Sequence, residues 1–310
     1  MTPIFQLVRQ RFSFSEQELI SYVNTAPYRY KTYKVKKRSG GTREISQPSR
    51  DLKILQRFVL TEFLQERFSY HDCATAYREK ISISDNARPH LANPYLLKMD
   101  FSDFFPSIRA DDFEVFLLEK GICTSEIDAT MMSRIFFKRA DDDLVLSIGS
   151  PGSPSISNAM LMDFDRLVSD LSTEARVAYT RYSDDLTFST SQKDVLFDFP
   201  IQISEILRGL KYPRLFINQK KTVFSSKKFN RHVTGITITN DGRMSLGHER
   251  KRKLRTRVFL ANELSSGDLA KLRGYLSFVN QIEPEFIRKL SRKYPSQMAV
   301  IQSAQFKGKS

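Results

Sequence analysis

The chain has 310 residues, 40% of them hydrophobic and 24 of them Phe, enough to bury a sizeable core in one to three packed subdomains. Its 49 Lys and Arg against 35 Asp and Glu leave a formal charge of +14, which favours a polyanionic partner, nucleic acid ahead of an anionic membrane surface. No apolar run approaches a membrane span or a signal peptide, so a cytoplasmic protein is expected, and 2 Cys with 4 scattered His suggest neither zinc nor a disulfide framework and leave only a hard, oxygen-bound metal.

Residues 1–29 read as partly helical, with Ser15 as a cap ahead of Leu19, Ile20, Tyr22 and Val23. A basic hairpin follows, Tyr30 to Lys37 and Thr42 to Ser46 around Arg38, Ser39, Gly40 and Gly41. Lys31, Lys34, Lys36, Lys37, Arg38 and Arg43 crowd onto it, either as a phosphate grip or as a charged edge that resists aggregation. Gln47, Pro48 and Ser49 break the chain before a helix with Leu52, Leu55, Val59 and Phe63 on its core face. The stretch 76–90 lacks periodicity and reads as a loop with a short helix, in which His90 would ordinarily be a satisfied structural histidine.

Tyr95 to Met99 is a short apolar strand ending at Asp100, and a helix begins after Ala110 with Asp111 and Asp112 as cap and first turn. An acid at the end of a buried strand is where α/β folds place chemistry, whereas Asp103 fits a turn or cap. A helix from Ser125 carries Ile127, Met131 and Ile135, and Asp141 to Asp143 make a solvated turn rather than a metal site. The stretch SIGSPGSPSISN, Ser147 to Asn158, is either a linker or a loop whose small residues let a ligand lie against backbone. It leads into one helix with Ile156, Met160, Phe164, Leu167 and Leu171 on its apolar face.

Thr180 to Ser189, TRYSDDLTFS, is a hairpin whose tight turn carries Asp184 and Asp185. Adjacent carboxylates raise each other's pKa unless a cation neutralises them, although a plain solvated turn also uses Asp. A helix near Pro200 to Gly209 and a strand from Leu215 to Lys221 follow. Arg231 to Thr239 and Arg243 to Leu246 flank Asn240, Asp241 and Gly242, a strong hairpin signal. Beyond Gly247 come basic helices, His248 to Leu264, Asp268 to Asn280 and Pro284 to Lys293, while only the tail, Phe306 to Ser310, reads as loose.

If the strands bearing Asp100 and the Asp184–Asp185 pair share a sheet, three carboxylates meet and can bind two Mg2+, one activating a 3′-hydroxyl and one holding a triphosphate. A two-metal nuclease needs the same acids, but has no use for a basic hairpin ahead of them and a helical clamp behind.

Here the sequence resembles the reverse transcriptases over nearly its whole length. KMDFSDFFPSI is similar to the first catalytic block, RYSDDLTFS to the YxDD block, and GSPGSPSISN to the loop between them. REISQPS with LKILQ resembles the first fingers block, and INQKKT the lysine block. Asn86, Ala87 and His90 match an NAxxH element and Val233, Thr234 and Gly235 a VTG element, both associated with the retron branch. The resemblance implies an α+β, right-hand polymerase: an N-terminal helical segment over 1–29, fingers with parts of the palm over 30–94, a palm with an antiparallel sheet over 95–245, and a helical thumb over 246–310.

By the same resemblance Asp100, Asp184 and Asp185 are the catalytic metal carboxylates, with the Phe101 carbonyl as a backbone ligand, for two Mg2+ ions. Lys37, Arg43, Phe105, Gly149 and Lys220 or Lys221 are nucleotide-binding: Lys37 and Arg43 on the triphosphate, Phe105 against the sugar or simply in the core, a lysine protonating pyrophosphate. Gly149, Pro151, Ser153 and Pro154 match the loop supporting template and incoming nucleotide. The implied RNA-binding residues are Asn86, His90, Val233, Thr234, Gly235, Arg250, Lys251, Arg252 and Arg255, with Lys253 and Arg257 on the same basic face, which is otherwise an ordinary solvated one. Two departures stand out: Ser183 where Ala is more common, and Ile148 where many members carry Gln.

A retron enzyme is expected to recognise a cognate structured noncoding RNA (msr–msd), to prime from a guanosine 2′-hydroxyl within it, and to consume deoxynucleoside triphosphates in making a branched RNA–DNA product. Host RNase H then trims the template, an accessory effector protein is a further partner, and the setting is antiphage defence. The competing readings are a reverse transcriptase of another bacterial branch, such as the intron-derived one, and a scaffold without enzymatic activity. Retention of all three acids argues against the scaffold.

Overall fold

The structure is a computed structural model and describes residues 3–36 and 40–303. Helices α1 (Pro3–Phe12) and α2 (Glu16–Thr25) lead the chain. Ser15 caps α2 as its sequence signalled: its Oγ accepts from Glu18 N at 3.2 Å, and the Glu18 carboxylate accepts from Ser15 N at 2.7 Å. Strands β1 (Tyr30–Lys36) and β2 (Thr42–Pro48) form the basic hairpin, in register from Tyr30↔Pro48 to Lys36↔Thr42. Lys37 and Arg38 lie outside the described residues.

Helix α3 (Arg50–Val59) starts at Ser49 and buries Leu52, Leu55 and Val59. Its continuation, Leu60–Leu64, winds as a π turn, so the core face passes to Leu64 and leaves the expected Phe63 half-buried. After the short α4 (Ile83–Ala87), β3 (Tyr95–Asp100) enters the core. Helix α5 (Ala110–Glu119) takes Arg109, not an aspartate, as its cap, and Asp111 and Asp112 occupy its first turn. Ser125 caps α6 (Glu126–Phe136), which buries Met131 and Ile135 but leaves Ile127 exposed. The acidic run Asp141 to Asp143 is the turn and first strand residue of a small hairpin, β4 (Lys138–Ala140) and β5 (Asp143–Val145).

The helix expected after the Ser-Pro-Gly loop is two, α7 (Ser153–Met160) and α8 (Met162–Glu174), parted at Leu161. Next come β6 (Ala178–Tyr182), β7 (Asp185–Thr190) and α9 (Phe199–Gly209). Leu215 to Lys221 is not a strand. Only Ile217 bridges, to Phe101; Asn218 N closes onto the Asp100 carbonyl at 2.7 Å and Gln219–Lys221 turns as 3-10 helix. Strand β8 (Val223–Ser226) follows.

The expected long strand Arg231 to Thr239 is split into β9 (Arg231–Val233) and β10 (Ile236–Ile238), with β11 (Met244–Ser245) completing a three-stranded sheet. Thr234 and Gly235 make the split, both left-handed at φ 45° and 80°, the backbone a two-residue hairpin turn requires. Helices α10 (His248–Phe259), α11 (Ser266–Ile282), α12 (Pro284–Lys293) and α13 (Pro295–Ser303) end the described chain, the last of them unanticipated. No helix among the described residues is long and apolar enough to cross a membrane.

One four-stranded antiparallel sheet, in the order β6-β7-β3-β8, positions the site. Helices pack on it through the main core, which includes Leu97, Met99, Phe101, Phe164, Leu186 and Phe188. The C-terminal helices close over their own cluster, including Leu254, Val258, Leu272, Leu276 and Leu290. A third cluster of Ala87, Leu96, Val233, Ile236, Ile238 and Ile282 joins the two.

Candidate active site

The carboxylates meet because of strand register. Asp100, last in β3, pairs with Asp185, first in β7, and Tyr182 pairs with Asp185 across the hairpin. Ser183 and Asp184 are therefore the whole turn, and Ser183 is left-handed at φ 61°. Three further bonds hold this strained turn: Phe101 N donates to the Asp184 carbonyl at 3.1 Å, Arg181 donates to the Ser183 carbonyl at 3.1 Å, and the Tyr77 hydroxyl donates to Ser183 Oγ at 3.3 Å.

Asp100 is buried, 7% exposed, Asp184 is half-buried and Asp185 is the most open of the three. Burial and the neighbouring Asp100 raise the pKa of Asp184. Partial burial, then Asp184 and Asp100, push Asp185 up to about 6. A cation already sits here: Lys221 Nζ lies 2.7 Å from Asp100 Oδ1. Burial works to discharge Lys221, but its bond to Asp100 and the surrounding carboxylates outweigh that and raise its pKa. Three hard oxygen donors in mutual repulsion, drawing in a lysine, fit a divalent cation of the Mg2+ class. As the side chains are placed, no three His, Cys, Asp or Glu among the described residues are grouped so as to hold a metal ion.

The other expected site residues divide. Lys221, not Lys220, reaches the acids, and Arg43 on β2 is close enough for its charge to favour the ionised form of Asp184. Lys37 lies outside the described residues. Phe101 is buried, while Phe105 is only half-buried against the buried Phe104, ring centroids 5.1 Å apart. Gly149 needs to be glycine for an internal reason: at φ 123° an added Cβ would come within 3.0 Å of the Ser46 carbonyl. Ser46 N also donates to the Ile148 carbonyl at 2.9 Å, so the small-residue loop lies directly against β2.

Asn86, His90 and Val233, expected on RNA, are at most 1% exposed. Asn86 Oδ1 accepts from the Thr75 hydroxyl at 2.7 Å and its amide donates to the Thr234 hydroxyl at 3.2 Å. Thr75 N in turn donates to the Arg181 carbonyl at 2.9 Å. The NAxxH and VTG elements thus fasten the 73–77 loop and the β9–β10 turn to the hairpin that carries Asp184 and Asp185. Gly235 is exposed, but its carbonyl accepts from Arg250 at 2.6 Å. Lys251 is paired with Glu283 at 2.6 Å, and Arg255 lies over the Phe286 ring at 5.3 Å, so of the four basic residues expected on RNA, Arg252 alone has no such bond among the described residues.

His90 lies between Ser189 Oγ, 2.7 Å from Nδ1, and Thr180 Oγ1, 2.8 Å from Nε2. Since Thr180 donates to the Asn86 carbonyl, the ring is neutral with its proton on Nε2. Burial holds its pKa down to about 3. A depressed folded pKa gives stability that is complete above the unfolded value of about 6.5 and is lost as pH falls toward about 3. Between pH 6.5 and 5 this group should cost wild type about 2 kcal/mol, and urea unfolding should show a His90→Gln variant, weaker at neutral pH, without that slope.

Two residues that sequence reading passed over complete the site. Arg181 entered only as one residue of the Thr180 to Ser189 hairpin, yet it is wholly buried on Asp165. Tyr77, 53% exposed and at φ 61°, sat in a stretch with no periodicity, and only the fold brings it to Ser183. Tyr77→Phe keeps the ring and removes the bond, so primer extension should fall about two- to tenfold with an unchanged melting temperature.

Three acids at the end of an antiparallel sheet, a basic hairpin ahead and a helical clamp behind define a right-hand, template-directed polymerase. A family model described as reverse transcriptase (RNA-dependent DNA polymerase) matches residues 35–238. The chain is similar to three Escherichia coli proteins. It is 41% identical over 271 residues to the retron Ec83 reverse transcriptase, covering 86% of each chain. It is 31% identical to the retron Ec86 reverse transcriptase, covering 92% of this chain and 88% of that one. To the retron Ec73 reverse transcriptase it is 32% identical, covering 91% and 92%. The chain belongs to the bacterial retron reverse transcriptases, and its activity is RNA-directed DNA polymerisation. Enzymes of this family generally use divalent metal ions.

Proposed function

We propose that this polymerase copies part of a cognate structured noncoding RNA (msr–msd) into multicopy single-stranded DNA, primed from an RNA 2′-hydroxyl, in the setting of antiphage defence with an accessory effector and host RNase H. The observation that carries the chemistry is the convergence of Asp100, Asp184 and Asp185 beside Lys221. Asp100, Asp184, Asp185 and the Phe101 carbonyl would hold Mg2+, which when bound lowers the pKa of the attacking hydroxyl and offsets triphosphate charge. The attacking oxygen forms a bond to the α-phosphorus, and the bond to pyrophosphate breaks. Lys221, kept protonated by the acids, is placed to give its proton to that leaving group, and Arg43 to meet the triphosphate. Half-buried Phe105 serves as the wall against a ribose 2′-hydroxyl.

The division into fingers over 30–94, palm over 95–245 and thumb over 246–310 belongs to this reading. Arg252, on the exposed face of α10, is its leading phosphate contact. The test is to express the chain with its upstream noncoding region and look for a short DNA that changes size on debranching, beside an Asp184→Ala control. A debranchable product absent from the control is expected. Extension of an annealed DNA primer without any branched product would keep the polymerase and overturn the priming.

A further inference from the structure

The far end of the catalytic sheet, away from the acids, carries an exposed aromatic surface. β8 is an edge strand, paired to β3 alone. Where Tyr95 faces Ser226, roughly 17 Å along β3 from Asp100, three phenylalanines stand in solvent. Phe197 is 59% exposed, Phe224 42% and Phe229 69%. The Phe197 and Phe224 rings are 5.1 Å apart and inclined at 45°, and all three rings border a cavity of about 280 Å³ floored by Leu96 and Leu196.

The rim of this cavity is cationic. Phe229 N closes a tight turn on the Ser226 carbonyl at 2.8 Å, which places exposed Lys227 and Lys228 between two lining residues. Lys193 stands among the lining residues, and the only carboxylate there, Asp194, lies 3.8 Å from it. A volume just under the range of sites for drug-sized ligands suits one planar group at a time. Solvent-facing aromatic rings beside cations are how proteins hold unpaired nucleotides without reading sequence: a base stacks on the ring, and the phosphates meet the lysines. The chain's charge of +14 favours such a polyanion over an acidic protein segment, because the whole surface, not only this rim, draws it in.

We propose that this patch is a second nucleic-acid site, which stacks unpaired bases of a single strand on Phe197, Phe224 and Phe229 and holds its phosphates with Lys193, Lys227 and Lys228. Being outside the acid cleft, it holds a template or product segment away from the reaction. The inference rests on the polymerase reading only for the presence of such strands, and it is tested by binding without synthesis.

The full chain, its cleft saturated with an unlabelled primer–template duplex, is titrated with fluorescent oligothymidylate in the absence of nucleotides. Phe224→Ala with Phe229→Ala should weaken binding at least tenfold, whereas extension of the same duplex stays within twofold of wild type. Lys227→Gln with Lys228→Gln should flatten the slope of log affinity against log salt by about 1.4, the share of two single-strand phosphates. Phe→Leu at both positions keeps the apolar surface and removes the ring faces, so it should bind as poorly as Ala. Unchanged affinity in the Ala variant overturns the proposal and leaves the patch to an apolar protein partner. Full recovery by Leu overturns base stacking. Loss of duplex extension together with binding would place the rings in the cleft's own machinery and overturn the separate site.

Discussion

Asp184→Ala or Asp185→Ala will reduce DNA synthesis by three orders of magnitude or more and, without divalent metal, will leave the protein no less stable than wild type. The two effects have one origin. Ionised Asp184 and Asp185 are held beside Asp100 against their own repulsion and partial burial, which is why both pKa values are raised. For an acid this sign means that the folded state is penalised above about pH 6, and the penalty disappears as pH falls toward the unfolded value near 4. Because Asp185 is open to solvent, the gain from removing its charge is screened to about 1 kcal/mol or less. Thermal melting in chelator at pH 7.5 should show the variants at or above wild type. Adding Mg2+ should reverse the order, since only wild type offers the complete donor set. A variant that lost activity and also melted well below wild type in chelator would mean the acids hold the fold together, and the site would have to be sought elsewhere.

The acids were legible because their signal is local. A strand ending in Asp100 and a doubled acid on a hairpin are patterns of a few residues, and antiparallel pairing then leaves few registers in which the two can meet. The capped helix α2, the basic hairpin and α5 were legible for the same reason. Errors arose where tertiary contacts override local preference. Leu215 to Lys221 has strand composition, but Asn218 is drawn onto the Asp100 carbonyl and the chain must turn. Asn86 and His90 are polar residues in an irregular stretch, and although His90 read there as a satisfied structural histidine, the partners were not legible: Thr75, Thr180, Ser189 and Thr234, distant in sequence, bond them in the core. No periodicity announces such a network, since each partner comes from a different element.

Arg181 makes this point with the larger energy. Its guanidinium is wholly buried and grips both oxygens of equally buried Asp165, Nε to Oδ1 at 2.8 Å and an Nη to Oδ2 at 2.6 Å. Its other Nη donates to Asn158 Oδ1 at 3.0 Å and to the Ser183 carbonyl at 3.1 Å. Burial acts to discharge the guanidinium and Asp165 more than reverses it, so its pKa is raised above its ordinary value. Arg181→Met alone leaves Asp165 charged and unpaired in the core, which should cost about 3–5 kcal/mol, a large part of the whole stability of a domain. Urea unfolding measures that loss directly. Arg181→Met with Asp165→Asn removes both charges, keeps an acceptor for the Tyr179 hydroxyl, and should recover most of the loss. Synthesis by the double variant should nevertheless stay about tenfold below wild type, because the left-handed Ser183 turn then loses the one bond to its carbonyl, and the two remaining bonds hold the acids less firmly at their distance from Asp100. Recovery of synthesis in step with stability would show that Arg181 serves the core alone; stability without synthesis would show a buried ion pair kept for the geometry of the turn above it.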